Sequence, residues 1–427
     1  RRSEPMTEPG SLPPLPERRL EILWYLIAGD GRYPWDPAWR RRVDFEYVQA
    51  WAKSIDVNGF YGALLATQPT SGMDPWITAA SLVPTTRRMK FVIAVHPSVY
   101  TPTSLVKLAT TLDQNSGGRV VLNVVSGHTG LEAAGVHLKH EERYEHTDEF
   151  LTVYRALMRG ERVDFDGKHL KIRGAEAAFL SLQQPYPPLW FGGASPIARD
   201  VAAKHIDNYL TWGEPPAETA ELIADVRARA AKHGRSLRFG IRLNLIVRDT
   251  DEEAWAAAQD MLDHLDDDVV ARVQAESGRQ ESVGQARQLS FHKGVKPRFA
   301  QDLEVYPNVW SGFGLIRGGP GLALVGSPES VAARIREYHA LGIDSFIVSG
   351  NPLLEETYRF GTQVMPLLPV THDDPGALRP AGYTRPKPAG SPPSGPSASG
   401  PSASGPSASG PSASGPAPSG SALVAAG

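Results

Sequence analysis

The chain reads as a (β/α)8 barrel, a TIM barrel with insertions, and three observations lead there. Eight apolar runs of strand length recur along residues 21–370, and a helical pattern follows each of them. Eight strand–helix repeats within roughly 350 residues is the count of a closed barrel. The first run continues into AGDGRYPWD, which lacks the GxGxxG turn expected after the first strand of an open doubly wound sheet.

The elements follow in order. Strands are predicted at residues 22–28, 62–67, 90–96, 120–126, 189–193, 209–212, 239–247 and 345–349. Helices are predicted to begin near Phe45, Asp74, Thr103, Thr147, Ile197, Ala217, Asp251 and Glu355, several behind a Ser, Thr, Asp or Pro start signal. A further helix, Pro328 to Leu341, precedes the eighth strand. Two insertions interrupt the repeat. Residues 160–188 carry VDFDGKHLKI, an alternating stretch with an Asp-Gly turn, and so a small hairpin. Residues 266–326 are polar for half their length and end in WSGFGLIRGGPGLALVG. Following the seventh strand, they form either an active-site lid with glycine hinges or a packing segment.

Outside the barrel, residues 1–20 form a Pro-rich, charged extension without the apolar core of a secretory signal. Residues 371–427 shift to Pro, Ser, Gly and Ala, with PSASG repeated four times. Such a composition buries too little to offset the entropy of ordering, so a disordered tail is expected. The formal charge of -3 gives no electrostatic case for nucleic acid or an acidic membrane surface. No apolar stretch is long enough to span a bilayer. The absence of cysteine excludes disulfides, thiolate metal sites and a cysteine nucleophile, and it fits a cytoplasmic enzyme.

Catalytic groups in such barrels sit at the C-terminal strand ends. Those positions hold Asp30, Thr67, His96, Ser126, His128, Ser195, Trp212, Arg242, Asn244 and Asn351. The set is rich in donors and poor in carboxylates. It contains no HxH, HExxH or GxSxG, so neither a metal centre nor a serine elbow is expected. Donors without an evident nucleophile point to an imported cofactor. Ser195 ends the GGAS turn at a helix start, where it serves either as a phosphate contact or as a simple N-cap. HEERYEH places Arg143 and Tyr144 just before a helix, facing a phosphate or solvent. Arg242 alternates with Ile241 and Leu243, so its side chain leaves the opposite face of its strand. A cation facing a barrel interior must be paired or must bind an anion. Arg317, in the glycine-rich end of the second insertion, either closes over an anion or remains a surface arginine. Trp212 either walls an apolar pocket or fills the barrel.

The runs QPYPPLWFGGAS, YLTWGEPP, KHGRSLRFGIRL, LDDDVVARVQ, IRGGPGLALVG and LGIDSFIVSG resemble the alkanesulfonate monooxygenases of the bacterial luciferase-like superfamily. The resemblance runs from about Trp24 to Leu368, with its motifs in the family's order. It implies a (β/α)8 barrel that takes reduced FMN from a separate NAD(P)H-dependent reductase and uses O2 to cleave an alkanesulfonate into aldehyde and sulfite. By the same resemblance Tyr144 and Ser195 hold the FMN phosphate, and Thr67, His96, Asn123 and Ser126 surround the flavin. Arg242 is similar to the family's active-site arginine, Trp212 to its pocket tryptophan and Arg317 to its mobile-loop arginine. Asn244 and Asn351 fall on substrate-facing positions, and a homo-oligomer is implied.

The chain also departs from that pattern. The family's cysteine after the second strand is Gly72, its histidine two beyond the strand arginine is Asn244, and the tyrosine and histidine of SGYPHLEE are Asn351 and Leu353. A first-loop glutamate is Pro37, beside Asp36. These changes leave room for another substrate of the same chemistry, such as a sulfone, an amine or a natural-product scaffold. A flavin-binding barrel without oxygenase activity is the alternative of a different class.

Overall fold

Alternation gives each strand its two faces. Along Glu21–Leu26 (β1), Ile22, Trp24 and Leu26 pack outward against helices, while Leu23 and Tyr25 point into the barrel. The computed structural model describes residues 19–67, 72–126, 130–278 and 282–371. In it β1 is followed by α1 (Phe45–Val57), β2 (Gly62–Leu65), α2 (Pro75–Leu82), β3 (Lys90–Val95), α3 (Pro102–Ser116), β4 (Val120–Val124) and α4 (His140–Met158). A hairpin of β5 (Val163–Asp166) and β6 (Lys171–Ala175) leads to β7 (Leu189–Gly192), α5 (Pro196–His205), β8 (Asn208–Trp212), α6 (Pro216–Ala231), β9 (Arg238–Val247) and α7 (Asp251–Asp263). The second insertion holds α8 (Asp267–Gly278), α9 (Val283–His292), β10 (Glu304–Tyr306), β11 (Val309–Trp310), α10 (Phe313–Ile316) and β12 (Ala323–Gly326). The chain ends its barrel with α11 (Pro328–Leu341), β13 (Ser345–Ser349) and α12 (Leu353–Arg359).

Strands β1, β2, β3, β4, β7, β8, β9 and β13 pair in that order, all parallel, and β13 closes on β1. This is the eight-stranded barrel expected from the sequence. Leu23, Leu64, Val92, Val121, Trp190, Leu210 and Ile347 fill its interior, and a larger apolar layer lies between strands and helices. Helix starts carry side-chain caps of the expected residue types: Asp44, Asp74, Thr101, Ser195 and Thr250 each accept a backbone N–H of the first turn.

The N-terminal floor of the barrel is polar. Glu21, wholly buried, pairs with Arg238 at 3.0 Å and accepts from the Ser345 hydroxyl at 2.8 Å, which in turn accepts from Asn208. Glu21→Ala strands the Arg238 guanidinium with only the more distant Asp344, and is expected to cost about 3 kcal/mol. A lower urea midpoint at unchanged slope would show it; an unchanged midpoint would refute it.

Three expectations need correction. Helix α4 begins at His140, not near Thr147, because Glu142 reaches back to the Lys139 N–H (2.9 Å) and Glu141 adds acidic charge to the first turn. Arg143 and Tyr144 therefore lie inside the helix rather than before it. The LALVG segment is not loop: it forms β12, parallel to the far half of β9. Strand β9 is ten residues long, so Gly240 to Asn244 pair with β13 and Asn244 to Val247 continue past the barrel with β12. Finally, much of the second insertion is helical, in α8 and α9, and not a polar loop.

The hairpin predicted in residues 160–188 is present. Its turn is held by the Glu149 carboxylate, which accepts from the N–H groups of Lys168, His169 and Leu170 at 2.7–2.9 Å. At the ends of the barrel body, the Thr371 N–H donates to Leu20 O at 2.7 Å. The extension and the Pro/Ser-rich tail lie outside the described residues, apart from these flanking positions.

Candidate active site

Two groups of side chains meet the C-terminal ends of the strands. The first surrounds the β7–α5 turn. Gly193 has no room for a side chain, since a Cβ there would stand 2.6 Å from that of Ala198. Arg199 pins the turn by donating twice to Ala194 O, at 3.0 and 2.7 Å. Ser195 caps α5 with a long 3.4 Å contact to the Ala198 N–H and lies close to the Tyr144 hydroxyl. Burial raises the Tyr144 phenol above its ordinary range, with Ser195 and the Arg143 charge opposing. Arg143 donates to Leu138 O, but its Nε has no partner among the described residues. Two hydroxyls, a helix N-terminus and a guanidinium with spare donor capacity suit a phosphate.

Nearby, the Ser126 hydroxyl bonds that of Thr147 at 2.8 Å, and His96 Nδ1 lies 2.9 Å from Val125 O. His96 and Ser126 are buried, while Thr67 and Asn123 are half-buried. Asn123 alternates with Val121 of the interior cluster, which turns it toward the barrel. His128 falls outside the described residues.

The second group is cationic. Arg242 stands opposite Trp212 across the β8–β9 ladder, and its guanidinium lies 4.2 Å from the centre of the Tyr25 ring. Arg317 follows α10 and donates to the carbonyl of Asn244, which lies two residues beyond Arg242 on the same face of β9, so the two charges repel. Burial first, then Arg242, holds the Arg317 guanidinium down at about 10, with Tyr25 opposing. Among the described residues no carboxylate pairs with either arginine; the Asn244 carbonyl accepts from Arg317. Asn244 is buried and fully engaged. Its amide donates to Pro320 O (3.0 Å) and Leu322 O (3.2 Å), and its carbonyl also takes the Ser349 hydroxyl at 3.4 Å. The structure therefore places Asn244 between β9 and the Arg317 loop.

Other sequence-selected positions have structural duties. Asp30 is wholly buried, accepts from the Leu353 N–H (2.7 Å) and the Tyr47 hydroxyl, and so anchors the loop after β13. Leu353 itself packs in the outer core. Asn351 is half-buried beside that anchor. Asp36 caps a short turn that starts at Pro37, and Gly72 is exposed, with nothing within 4 Å of a Cβ placed there among the described residues.

Sequence reasoning missed Tyr25, Gln285 and Gln288. Tyr25 was within reach, since it alternates with inward-facing Leu23. The two glutamines on α9 carry no local sign of their partners. Among the described residues no group of His, Cys, Asp or Glu is arranged to hold a metal, and no helix is long and apolar enough to cross a membrane.

Residues 27–345 match the family model described as luciferase-like monooxygenase. Solved structures of similar fold include a riboflavin lyase with modified FMN and riboflavin (TM-score 0.69, 20% identity, covering 84% of this chain and 94% of that one). The EDTA monooxygenase from Chelativorans sp. BNC1 is also similar (TM-score 0.67, 19% identity, 82% and 93% covered). So is a long-chain alkane monooxygenase (TM-score 0.64, 18% identity, 82% and 91% covered). At such identities these three carry the fold alone.

Proposed function

Since the chain belongs to the luciferase-like monooxygenase family, we propose that it is a two-component, FMNH2-dependent monooxygenase that desulfonates an alkanesulfonate. The observation that carries the substrate is the pair Arg242 and Arg317, two guanidiniums joined through Asn244 and β9 with no carboxylate paired to either among the described residues, at the mouth of a barrel whose β7–α5 turn suits a phosphate. Reduced FMN, supplied by a separate NAD(P)H-dependent reductase, brings the electrons that activate O2. The overall change balances: alkanesulfonate, O2 and FMNH2 give aldehyde, hydrogen sulfite, water and FMN.

The residues divide the work. Tyr144, Ser195 and the α5 N-terminus hold the flavin phosphate, with Arg143 adding positive charge. His96, Ser126, Thr67 and Asn123 line the neighbouring strand ends. Arg242 orients the sulfonate and stabilises negative charge on the leaving sulfite; Arg317 covers the same anion. Trp212 and Tyr25 supply apolar walls that exclude water from the anion.

A sulfite assay tests this reading. Protein, FMN, NADH and a flavin reductase under air, offered a panel of alkanesulfonates, should release sulfite, and Arg242→Ala should release little. Tight FMNH2 binding without sulfite would discard the sulfonate and keep the flavin barrel. The panel should include a polycarboxylate, because the same pair of cations suits that class of anion.

A further inference from the structure

Arg317 owes its place to a set of buried carboxamides. Gln285 and Gln288 lie on α9, and both are almost wholly buried. The Gly319 N–H donates to Gln285 Oε1 at 2.8 Å, and the Gly321 N–H donates to Gln288 Oε1 at 2.9 Å. Gln288 Nε2 donates to Gly213 O at 2.9 Å, which ties α9 to the residue after Trp212. From the opposite side the Asn244 amide donates to Pro320 O and Leu322 O, and its carbonyl accepts from Arg317. Every residue from 319 to 322 is thus held by one of three side chains. Helix α9 is itself anchored to the rim by Arg287 on Glu214 at 2.6 Å, and a Cβ at Gly284 would touch the Trp212 ring at 3.4 Å.

The chemistry of the holding groups matters. The loop presents two N–H donors and two carbonyl acceptors, and a carboxamide satisfies both kinds without bringing charge. A carboxylate in place of Asn244 would pair with Arg317 and cancel the charge that the site presents. An apolar residue would leave buried backbone groups unsatisfied. We propose that Gln285, Gln288 and Asn244 form a neutral clamp that positions Arg317 beside Arg242, and thereby sets the preference of the site for an anionic over an uncharged substrate. This rests on the reading of Arg242 and Arg317 as the anion site. The three are positioning residues, since they act through Arg317.

The test uses the full-length enzyme, with 1-octanesulfonate as substrate probe. Gln285→Leu removes the acceptor of Gly319, and Gln285→Glu restores an accepting oxygen; Gln288→Leu provides a second, independent variant. Hydrogen exchange is read at the amides of Gly319 and Gly321, together with FMN affinity, KM and kcat. The wild type should protect both amides. Gln285→Leu and Gln288→Leu should each release protection at their own glycine and raise KM for octanesulfonate by about tenfold, with kcat changed far less and FMN affinity unchanged. Gln285→Glu should restore the protection of Gly319. Rapid exchange in the wild type overturns the proposal, and so does an unchanged KM once protection is lost. Exchange is read without turnover, so the two readings fail separately. Protected amides released by Gln285→Leu in an enzyme that forms no sulfite from any sulfonate would support the clamp and sink the substrate.

Discussion

Arg242→Ala is expected to lower kcat/KM for an alkanesulfonate by about two to three orders of magnitude while leaving FMN affinity unchanged. The side chain leaves the inner face of β9 and rests on Tyr25, where little water competes for it. A charged donor aimed at developing negative charge in such a place is worth about 3–4 kcal/mol. Arg242→Lys should recover only part of the loss, because an ammonium lacks the planar fork that meets two oxygens of one anion. A variant with full activity would remove Arg242 from the reaction. Arg317 adds a pH signature to the same experiment. Burial and the Arg242 charge hold its guanidinium at about 10. Only the protonated form attracts the anion, so affinity is complete below that value and falls as pH rises through it. KM for the sulfonate should therefore climb on the alkaline side of about pH 10; a flat profile through that range would show that Arg317 keeps its proton there.

The second large effect concerns the cofactor. Ser195 both caps α5 and faces the proposed phosphate, and a simple alanine substitution confuses the two roles. Ser195→Asp separates them. Aspartate caps a helix as well as serine does, so the fold and its melting temperature should hold. Its negative charge, however, would stand where the phosphate binds. FMN affinity should fall about a hundredfold or more, whereas riboflavin, which lacks the phosphate, should lose far less. Tyr144→Phe removes one hydroxyl from the cradle and should cost FMN about tenfold. Equal losses for FMN and riboflavin would show that Ser195 acts only on the fold. Fluorescence titration with each flavin decides the matter.

These predictions also separate what was readable in the chain from what was not. The barrel was legible because its signals are local. Eight apolar runs, their alternation and the capping residues Asp44, Asp74, Thr101, Ser195 and Thr250 each act within a few positions of chain. Arg242 was legible for the same reason: a cation set within an apolar strand must face somewhere that tolerates it. The start of α4 was misplaced although its cue, Glu142 three residues after Lys139, is local; a lysine at the capping position hid it. The β12 strand was missed because its run of apolar residues is short and its partner, β9, lies about 80 positions earlier, with only the tertiary fold to join them.

The chain alone determined the barrel and marked out the β7–α5 turn, Arg242 and Arg317 as candidates, each from periodicity and hydrogen-bonding capacity within a short window. Only the tertiary structure decided what Arg317, Asn244, Gln285 and Gln288 do. Glutamine 285 reads as an ordinary polar residue on a helix until Gly319, 34 residues later, is folded against it. Asn244 reads as a substrate ligand until the loop 76 to 78 residues away closes on its amide. A carboxamide has no preferred partner, and its role is set by whichever backbone groups the fold leaves unsatisfied beside it.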